Sequence, residues 1–178
     1  DLTIYHAGLT NKERIEAQND FLYDRVEVVI ATNAFGMGID KSNVRYVIHY
    51  NMPGDLESYY QEAGRAGRDG LKSECILLFS ERDKGLHEYF ITVSQADDDY
   101  KDKMGEKLTK MIQYTKTKKC LEATIVHYFE PNENLEECNQ CSNCIQENKT
   151  YDMTREAKMI ISCIARMKQQ ENYSVIIQ

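Results

Sequence analysis

The chain opens as short apolar runs separated by amphipathic stretches. Leu2 to Tyr5 reads as a strand. Val26 to Ala31 is β-branched and nearly all apolar, the composition of a buried strand. Tyr46 to Tyr50 and Cys75 to Phe79 have the same character. Thr10 to Glu13 carries the S/T-x-x-E spacing of a capping box, so a helix is predicted to about Tyr23, burying Ile15, Phe21 and Leu22. A second helix is predicted from about Leu56 to Gly67. Strands alternating with helices point to an α/β domain with a mainly parallel sheet.

After Phe79 the pattern changes. Residues from about Asp83 to Phe129 read as helical, and the Asn/Glu-rich stretch after Pro131 reads as a loop. From Thr154 an amphipathic helix is predicted, with Ala157, Ile160, Ile161, Ile164 and Met167 on one stripe. A lone terminal helix of that kind has nothing of its own to pack on, so a truncated domain is expected there.

Composition narrows the classes. Hydrophobic residues make up 42% of the 178, too many for a disordered chain. No run of about eighteen apolar residues exists to span a membrane. Asp1, Leu2 and Thr3 do not begin a basic region leading into an apolar one, so no signal peptide is expected. The net charge of −7 argues against phosphate contacts on its face. Charge is partitioned, however: Lys101 to Lys119 holds seven Lys against Asp102 and Glu106, whereas Glu130 to Glu147 carries only acidic charges. A solvated helix face explains those lysines as readily as a nucleic-acid contact.

The segment from Gln61 to Gly70 (QEAGRAGRDG) is the most informative. On a helix, Gln61, Arg65 and Arg68 are spaced i, i+4, i+7 and share a face. Gly64 and Gly67 form a second stripe, each costing about 1 kcal/mol relative to Ala. Close approach of a backbone or a ligand is the usual compensation. Guanidinium forks match phosphate oxygens and stay charged. At a phosphoryl-transfer site such an Arg is worth ~10³–10⁵ in rate. On spacing alone, surface arginines in salt bridges are the commoner explanation, and the two glycines weigh against it.

Thr32 to Asp40 (TNAFGMGID) follows a predicted strand, and ligands in open α/β sheets bind beyond the carboxyl ends of strands. Gly36 and Gly38 would let phosphates approach the backbone. Thr32 and Asn33 can donate to a nucleic-acid backbone, and Asp40 can accept from a ribose hydroxyl. A lone G-x-G is also met in plain turns. The chain contains no Walker A sequence, so it does not cradle ATP in the P-loop manner by itself.

Six cysteines without sign of secretion favour reduced thiols or a metal over disulfides. Cys138, Cys141 and Cys144 are spaced C-x₂-C-x₂-C, with Cys120 upstream on a predicted helix. Four thiolates suit tetrahedral Zn²⁺. A helix from Cys120 to Phe129 runs about 15 Å, and the loop from Glu130 to Glu137 spans up to about 26 Å, so it can return to Cys120. Free thiols or an iron–sulfur cluster are the alternatives. Cys75 and Cys163 read as small core residues.

Together these segments resemble the RecQ family of DNA helicases, within superfamily 2. The match runs through Tyr5-His6-Ala7-Gly8-Leu9, Ala34 to Lys41 (AFGMGIDK), Val47-Ile48-His49, and Tyr59 to Gly70 (YYQEAGRAGRDG). The first arginine-rich motif type is widespread in the superfamily; AFGMGIDK together with YYQEAGRAGRDG is more specific. The RecQ zinc module has the same four-cysteine arrangement. Ser42 departs from a common Pro, and Leu121 from a common Arg.

The resemblance implies the second RecA-like lobe of a P-loop-NTPase-type motor over residues 1–82, N-terminally incomplete. It implies a helical zinc-binding subdomain over 83–150 and the truncated start of a winged-helix domain over 151–178. It implies ATP-dependent 3′–5′ DNA unwinding, with ATP and Mg²⁺ between this lobe and a first lobe of the same protein. Arg65 and Arg68 would reach the γ-phosphate, Arg68 as the arginine finger, and Gln61 would sense nucleotide and DNA. Gly38 and Asp40 would border the nucleotide. His6, Thr32 and Asn33 would lie towards the single strand, and Lys116 and Lys119 would also touch DNA. Cys120, Cys138, Cys141 and Cys144 would hold a structural Zn²⁺. The implied partners are single-stranded and duplex DNA and a single-strand DNA-binding protein, without a membrane. The implied location is nucleoid-associated in a bacterial cytoplasm or nuclear in a eukaryote.

Overall fold

The computed structural model describes residues 1–33, 35, 41–145, 155, 158, 159 and 162. Two β-α-β units come first. Strand β1 (Leu2–Tyr5), helix α1 (Asn11–Leu22) and strand β2 (Val28–Ala31) form one, with β1 and β2 parallel and Leu2 opposite Val28. Strand β3 (Tyr46–His49), helix α2 (Leu56–Ala63) and strand β4 (Glu74–Leu77) form the other, with Tyr46 opposite Glu74, again parallel. Helices α3 (Glu81–Val93), α4 (Asp98–Lys116) and α5 (Leu121–Phe129) follow, then the short α6 (Ser142–Ile145).

The predicted capping box is present. The Thr10 amide and hydroxyl donate to the Glu13 carboxylate at 2.8 and 2.7 Å, and the Glu13 amide donates back to Thr10 Oγ1 at 3.3 Å. The face that α1 buries differs from expectation. Ala17 and Phe21 are buried, whereas Ile15 is 59% exposed and Leu22 sits at the margin. The β2 strand also departs from a doubly buried one: Val28 and Ile30 are about half exposed, with Leu2 and Ile4 of β1 beside them. Among the described residues, helix covers one face of this strand pair only.

The main core lies elsewhere. Met52, Leu56, Tyr59, Leu108, Met111 and Tyr114 form one buried cluster, flanked by Leu77, Phe79, Leu121, Ile125 and Tyr128. Leu56, Tyr59 and Ala63 recur at i, i+3, i+7 on α2, and Leu108, Met111 and Tyr114 recur at three-residue steps on α4. The helical segment therefore docks on the second β-α-β unit through side chains that neither could bury alone. The Tyr59 and Tyr114 rings lie 5.4 Å apart, and Glu57 and Lys107 pair across the same seam at 2.9 Å.

Asp83 is the buried carboxylate of this region. It accepts from Asn51 Nδ2 (2.8 Å), the Met52 amide (3.2 Å) and the Ser80 amide (3.3 Å), while His87 Nε2 donates to the Met52 carbonyl at 2.7 Å. These bonds fasten α3 to the loop before α2. Burial disfavours the charge on Asp83, but the donated hydrogen bonds outweigh it and hold its pKa below the usual value.

The predicted start of a further domain at Thr154, with its apolar stripe and Cys163, lies outside the described residues; Arg155, Lys158, Met159 and Ser162 are helical.

Met111 is fully buried, so Met111→Ala is expected to cost about 2–5 kcal/mol, read from the denaturant midpoint. The Asp83 contribution is fully present above the free Asp value of ~3.9 and is lost as pH falls through its lower folded value. Asp83→Asn should remove that acid-sensitive part, giving a flatter fall in urea midpoint between pH 5 and about 3 than the wild-type chain shows.

Candidate functional site

The two arginines do not continue α2. The helix ends at Ala63 with Gly64 as its cap, and the chain then turns: the Arg65 amide donates to the Glu62 carbonyl and the Ala66 amide to the Ala63 carbonyl. Gly67 takes φ of +63°, and a Cβ there would sit 2.4 Å from Ser73 Oγ and 3.0 Å from the Leu71 carbonyl oxygen. The helical reading of Gln61, Arg65 and Arg68 as one face is thus corrected. Gln61 is on the last turn of α2, and the arginines ride on a tight turn whose conformation only glycine adopts readily. The close approach inferred from the glycines is real, and at Gly67 the approaching groups belong to the protein. The Gly67 amide donates to the Val44 carbonyl at 2.9 Å and the Asp69 amide to the Ser42 carbonyl at 3.3 Å, so the turn is stitched to the segment entering β3. Arg65 is half-buried and Arg68 exposed, with Arg68 Nε donating to the Gly64 carbonyl at 3.3 Å.

At the other end of β3, His49 Nε2 lies 2.8 Å from Glu62 Oε2, with the ring 5.1 Å from that of Tyr59. This tie between strand and helix end was missed from sequence. Its only signal was the spacing of His49 and Glu62 on consecutive elements.

His6 and Thr32 stand just beyond the carboxyl ends of β1 and β2, with Asn33 next along the chain, and all three are exposed. The Thr32 amide donates to the Tyr5 carbonyl at 3.1 Å, which fixes the two strand ends together. Gly8 packs under His6, whose Nδ1 accepts from the Gly8 amide at 3.1 Å. Phe35 and Lys41, the described residues that follow, both contact Phe21 of α1. Phe35 packs 5.9 Å from Phe21 and 5.0 Å from Tyr5, and Lys41 Nζ sits 5.2 Å over Phe21 while pairing with Asp24 at 2.7 Å. Gly36, Gly38 and Asp40 lie outside the described residues.

The four cysteines converge. The Sγ atoms of Cys120, Cys138, Cys141 and Cys144 all lie within 4.8 Å of one another. Cys141 Sγ is 3.9 Å from Cys120 Sγ and 3.5 Å from Cys144 Sγ. Zinc–sulfur bonds of about 2.3 Å in a tetrahedron place sulfurs about 3.8 Å apart, so the cluster fits the ion. Cys120 is the N-cap of α5 and not an interior helical residue, and its Sγ accepts from the Ala123 amide at 3.4 Å. The Leu121 amide donates to Cys141 Sγ (3.3 Å) and the Cys141 amide to Cys138 Sγ (3.2 Å). Amides aimed at sulfur favour thiolate. Burial opposes ionisation of Cys141, yet the amides of Leu121 and Cys144 and the neighbouring thiols outweigh it and pull that thiol down; burial pushes the Cys138 thiol up. Asn139 adopts φ of +57° between the first two ligands. Asn143 Nδ2 donates to the carbonyls of Thr117 and Lys119 at 2.9 and 2.7 Å and so ties the turn before Cys120 to the ligand loop.

Of the remaining cysteines, Cys75 is exposed as a residue and its thiol donates to the Ala63 carbonyl at 3.4 Å, a correction to its reading as a core residue. Lys116 pairs with Glu81 at 2.8 Å and lies 5.5 Å over the Phe79 ring, and Lys119 is exposed.

Residues 1–70 match the family described as helicase conserved C-terminal domain, and residues 81–145 match RecQ zinc-binding. The chain belongs to the RecQ family. It is 48% identical over 174 residues to the ATP-dependent DNA helicase RecQ of Bacillus subtilis, covering 98% of this chain and 29% of that protein. It is 37% identical to the ATP-dependent helicase SGS1 of Saccharomyces cerevisiae, covering 97% and 12%. A relative from Acanthamoeba polyphaga mimivirus, named as an ATP-dependent RNA helicase, is 38% identical over 90% of this chain and 31% of its own. The chain spans under a third of the length of each. The zinc-binding match and the thiol cluster agree, and these four cysteines suit zinc with all tetrahedral positions filled, which makes its contribution structural.

Elemental analysis of the purified chain is expected to find one zinc per chain. Structural zinc supplies roughly 10–16 kcal/mol of folding free energy in small zinc-finger peptides. Cys138→Ser should therefore lose the metal and the ordered fold of residues 120–145 together. A folded, metal-free wild-type chain would contradict the assignment.

Proposed function

We propose that this chain is the second motor lobe and zinc module of an ATP-dependent 3′–5′ DNA helicase that serves repair, recombination and replication-fork maintenance. The observation that carries the reading is the glycine-dependent turn after α2. It presents two guanidinium-bearing residues from a backbone pinned by hydrogen bonds from the Gly67 and Asp69 amides to the Val44 and Ser42 carbonyls. Cations held on a rigid support stabilise developing charge without reorganising, which a phosphoryl-transfer site needs and a simple binding module does not.

In this reading ATP and Mg²⁺ lie between this lobe and the first lobe of the same protein. Arg65 and Arg68 reach the γ-phosphate, with Arg68 as the finger, and Gln61 reports nucleotide state. Gly38 and Asp40 border the nucleotide. His6, Thr32 and Asn33 face the single strand from the carboxyl ends of β1 and β2. Lys119 meets the duplex phosphates, as does Lys116 if its bond to Glu81 yields. Hydrolysis changes the cleft between the lobes and moves the strand past this face. Residues 1–82, 83–150 and 151–178 serve as motor, zinc module and start of a winged-helix domain. A single-strand DNA-binding protein on the released strand, and a place with the nucleoid or in the nucleus, belong to the same reading. The viral relative's name supports an alternative in which the duplex is RNA.

In the full-length enzyme, Arg68→Ala should lower ATP turnover by about 10³-fold or more while ATP binding stays within a few-fold. Near-normal turnover would remove the finger role. Faster unwinding of an RNA than of a matched DNA duplex by the unaltered enzyme would replace the substrate.

A further inference from the structure

The turn that bears Arg65 and Arg68 is closed by a side chain from outside it. Arg45, at the entry to β3, divides its guanidinium between this loop and the segment just before it. Its Nη2 lies 2.6 Å from both carboxylate oxygens of Asp69 and 3.4 Å from the Ser42 carbonyl oxygen. Its Nη1 donates to the Lys72 carbonyl at 3.0 Å, and its Nε donates to the Asn43 carbonyl at 3.2 Å. Asp69 in turn accepts from the Leu71 amide at 3.1 Å. The Arg45 guanidinium thus ties residues 42–43 to residues 69–72, on either side of the backbone bonds that join Gly67 to Val44 and Glu74 to Arg45. Both side chains are largely but not wholly withdrawn from solvent, at 32% and 25% exposure.

We infer that the Arg45–Asp69 clasp is the positioning device for the arginine finger: it fixes the exit of the turn so that Arg68, its immediate neighbour, is held where phosphate charge develops. The inference rests on the phosphoryl-transfer reading of Arg65 and Arg68. Its physical basis is that the turn leaves α2 after Gly64 and must return to β4 at Glu74. Gly67 and Gly70 both take positive φ, at +63° and +78°, so the turn keeps its shape through the bonds that hold it to the segment before β3, and the clasp adds a side-chain tie to the backbone ones. A planar fork with several donors fixes direction as well as distance, and Lys does not reproduce it. Arg45 and Asp69 touch no reacting atom and act through Arg68.

The test uses the full-length enzyme with Arg45→Lys, Asp69→Asn, Arg68→Ala, and Asp69→Asn combined with Arg68→Ala. Zinc content and thermal unfolding are measured for each. The clasp variants are expected to keep the metal and the unfolding temperature, to keep the KM for ATP within about threefold, and to lose roughly 10–100-fold in kcat, a displacement penalty of the size expected for misplaced groups. Asp69→Asn is expected to cost nothing further in the Arg68→Ala background, because the residue it positions is gone. A further loss of similar size there, or a fall in zinc content or unfolding temperature, would show a general structural role and overturn the inference. If Arg68→Ala loses turnover while both clasp variants retain it, the clasp fails and the finger stands. If Arg68→Ala itself retains turnover, the reading beneath both fails.

Discussion

Tyr59 on Tyr114 is the contact on which the rest of this chain depends. The two rings meet where α2 packs against α4, and burial raises both phenol pKa values. Around them Leu56, Leu108 and Met111 close a core that belongs to neither segment alone. Helix α2 therefore has its rotation set by the zinc-bearing segment. That rotation decides where α2 ends, where Gly64 releases the chain, and where the arginine turn begins. An element of the helicase C-terminal domain and the zinc-binding module share one hydrophobic seam.

The thiol cluster sits at the far side of the same seam. Leu121 and Ile125 of α5 pack against the core, while Cys120, one residue earlier, caps that helix and offers its sulfur to the cluster. A metal bound there would hold α5 by its first turn. The ligand loop carries almost no apolar burial of its own, and Ile145 is 65% exposed. Its order comes from sulfur, from amides that donate to sulfur, and from the side-chain bonds of Asn143 and of Gln140, which donates to Glu122. An acidic loop with few apolar residues is a poor folding unit without an ion.

Much of the fold was legible because local rules acted alone. The Thr10–Glu13 box, the four strands and the break into helices after Phe79 follow from spacing and propensity, and the C-x₂-C-x₂-C run favours a metal over free thiols. The arginine segment was harder. Helical spacing is a property of a continued helix, and Gly64 ends this one. Two glycines can mark a close approach within a helix or a left-handed turn after it, and sequence does not separate these. Ile15 was misplaced because α1 packs on the strand pair through Ala17 and Phe21, and periodicity does not say which of several apolar positions faces inward. Cys75 shares a face of β4 with Leu77 but stands nearer the start of the strand, where the chain stays exposed, and the apolar run does not say where along a strand the cover ends. The ties of Arg45 to Asp69 and His49 to Glu62 join residues 24 and 13 apart, and at that distance spacing alone does not single out a pair.

Zinc and helix α2 are coupled through one core, and amide hydrogen exchange with and without chelator tests that coupling most directly. With zinc removed, exchange should accelerate along α4 and α5 and also through α2, from Leu56 to Ala63, because the surface that fixes α2 has loosened. Acceleration confined to residues 138–145, with α2 as slow as before, would contradict the account and leave the zinc module a separate ornament on the lobe.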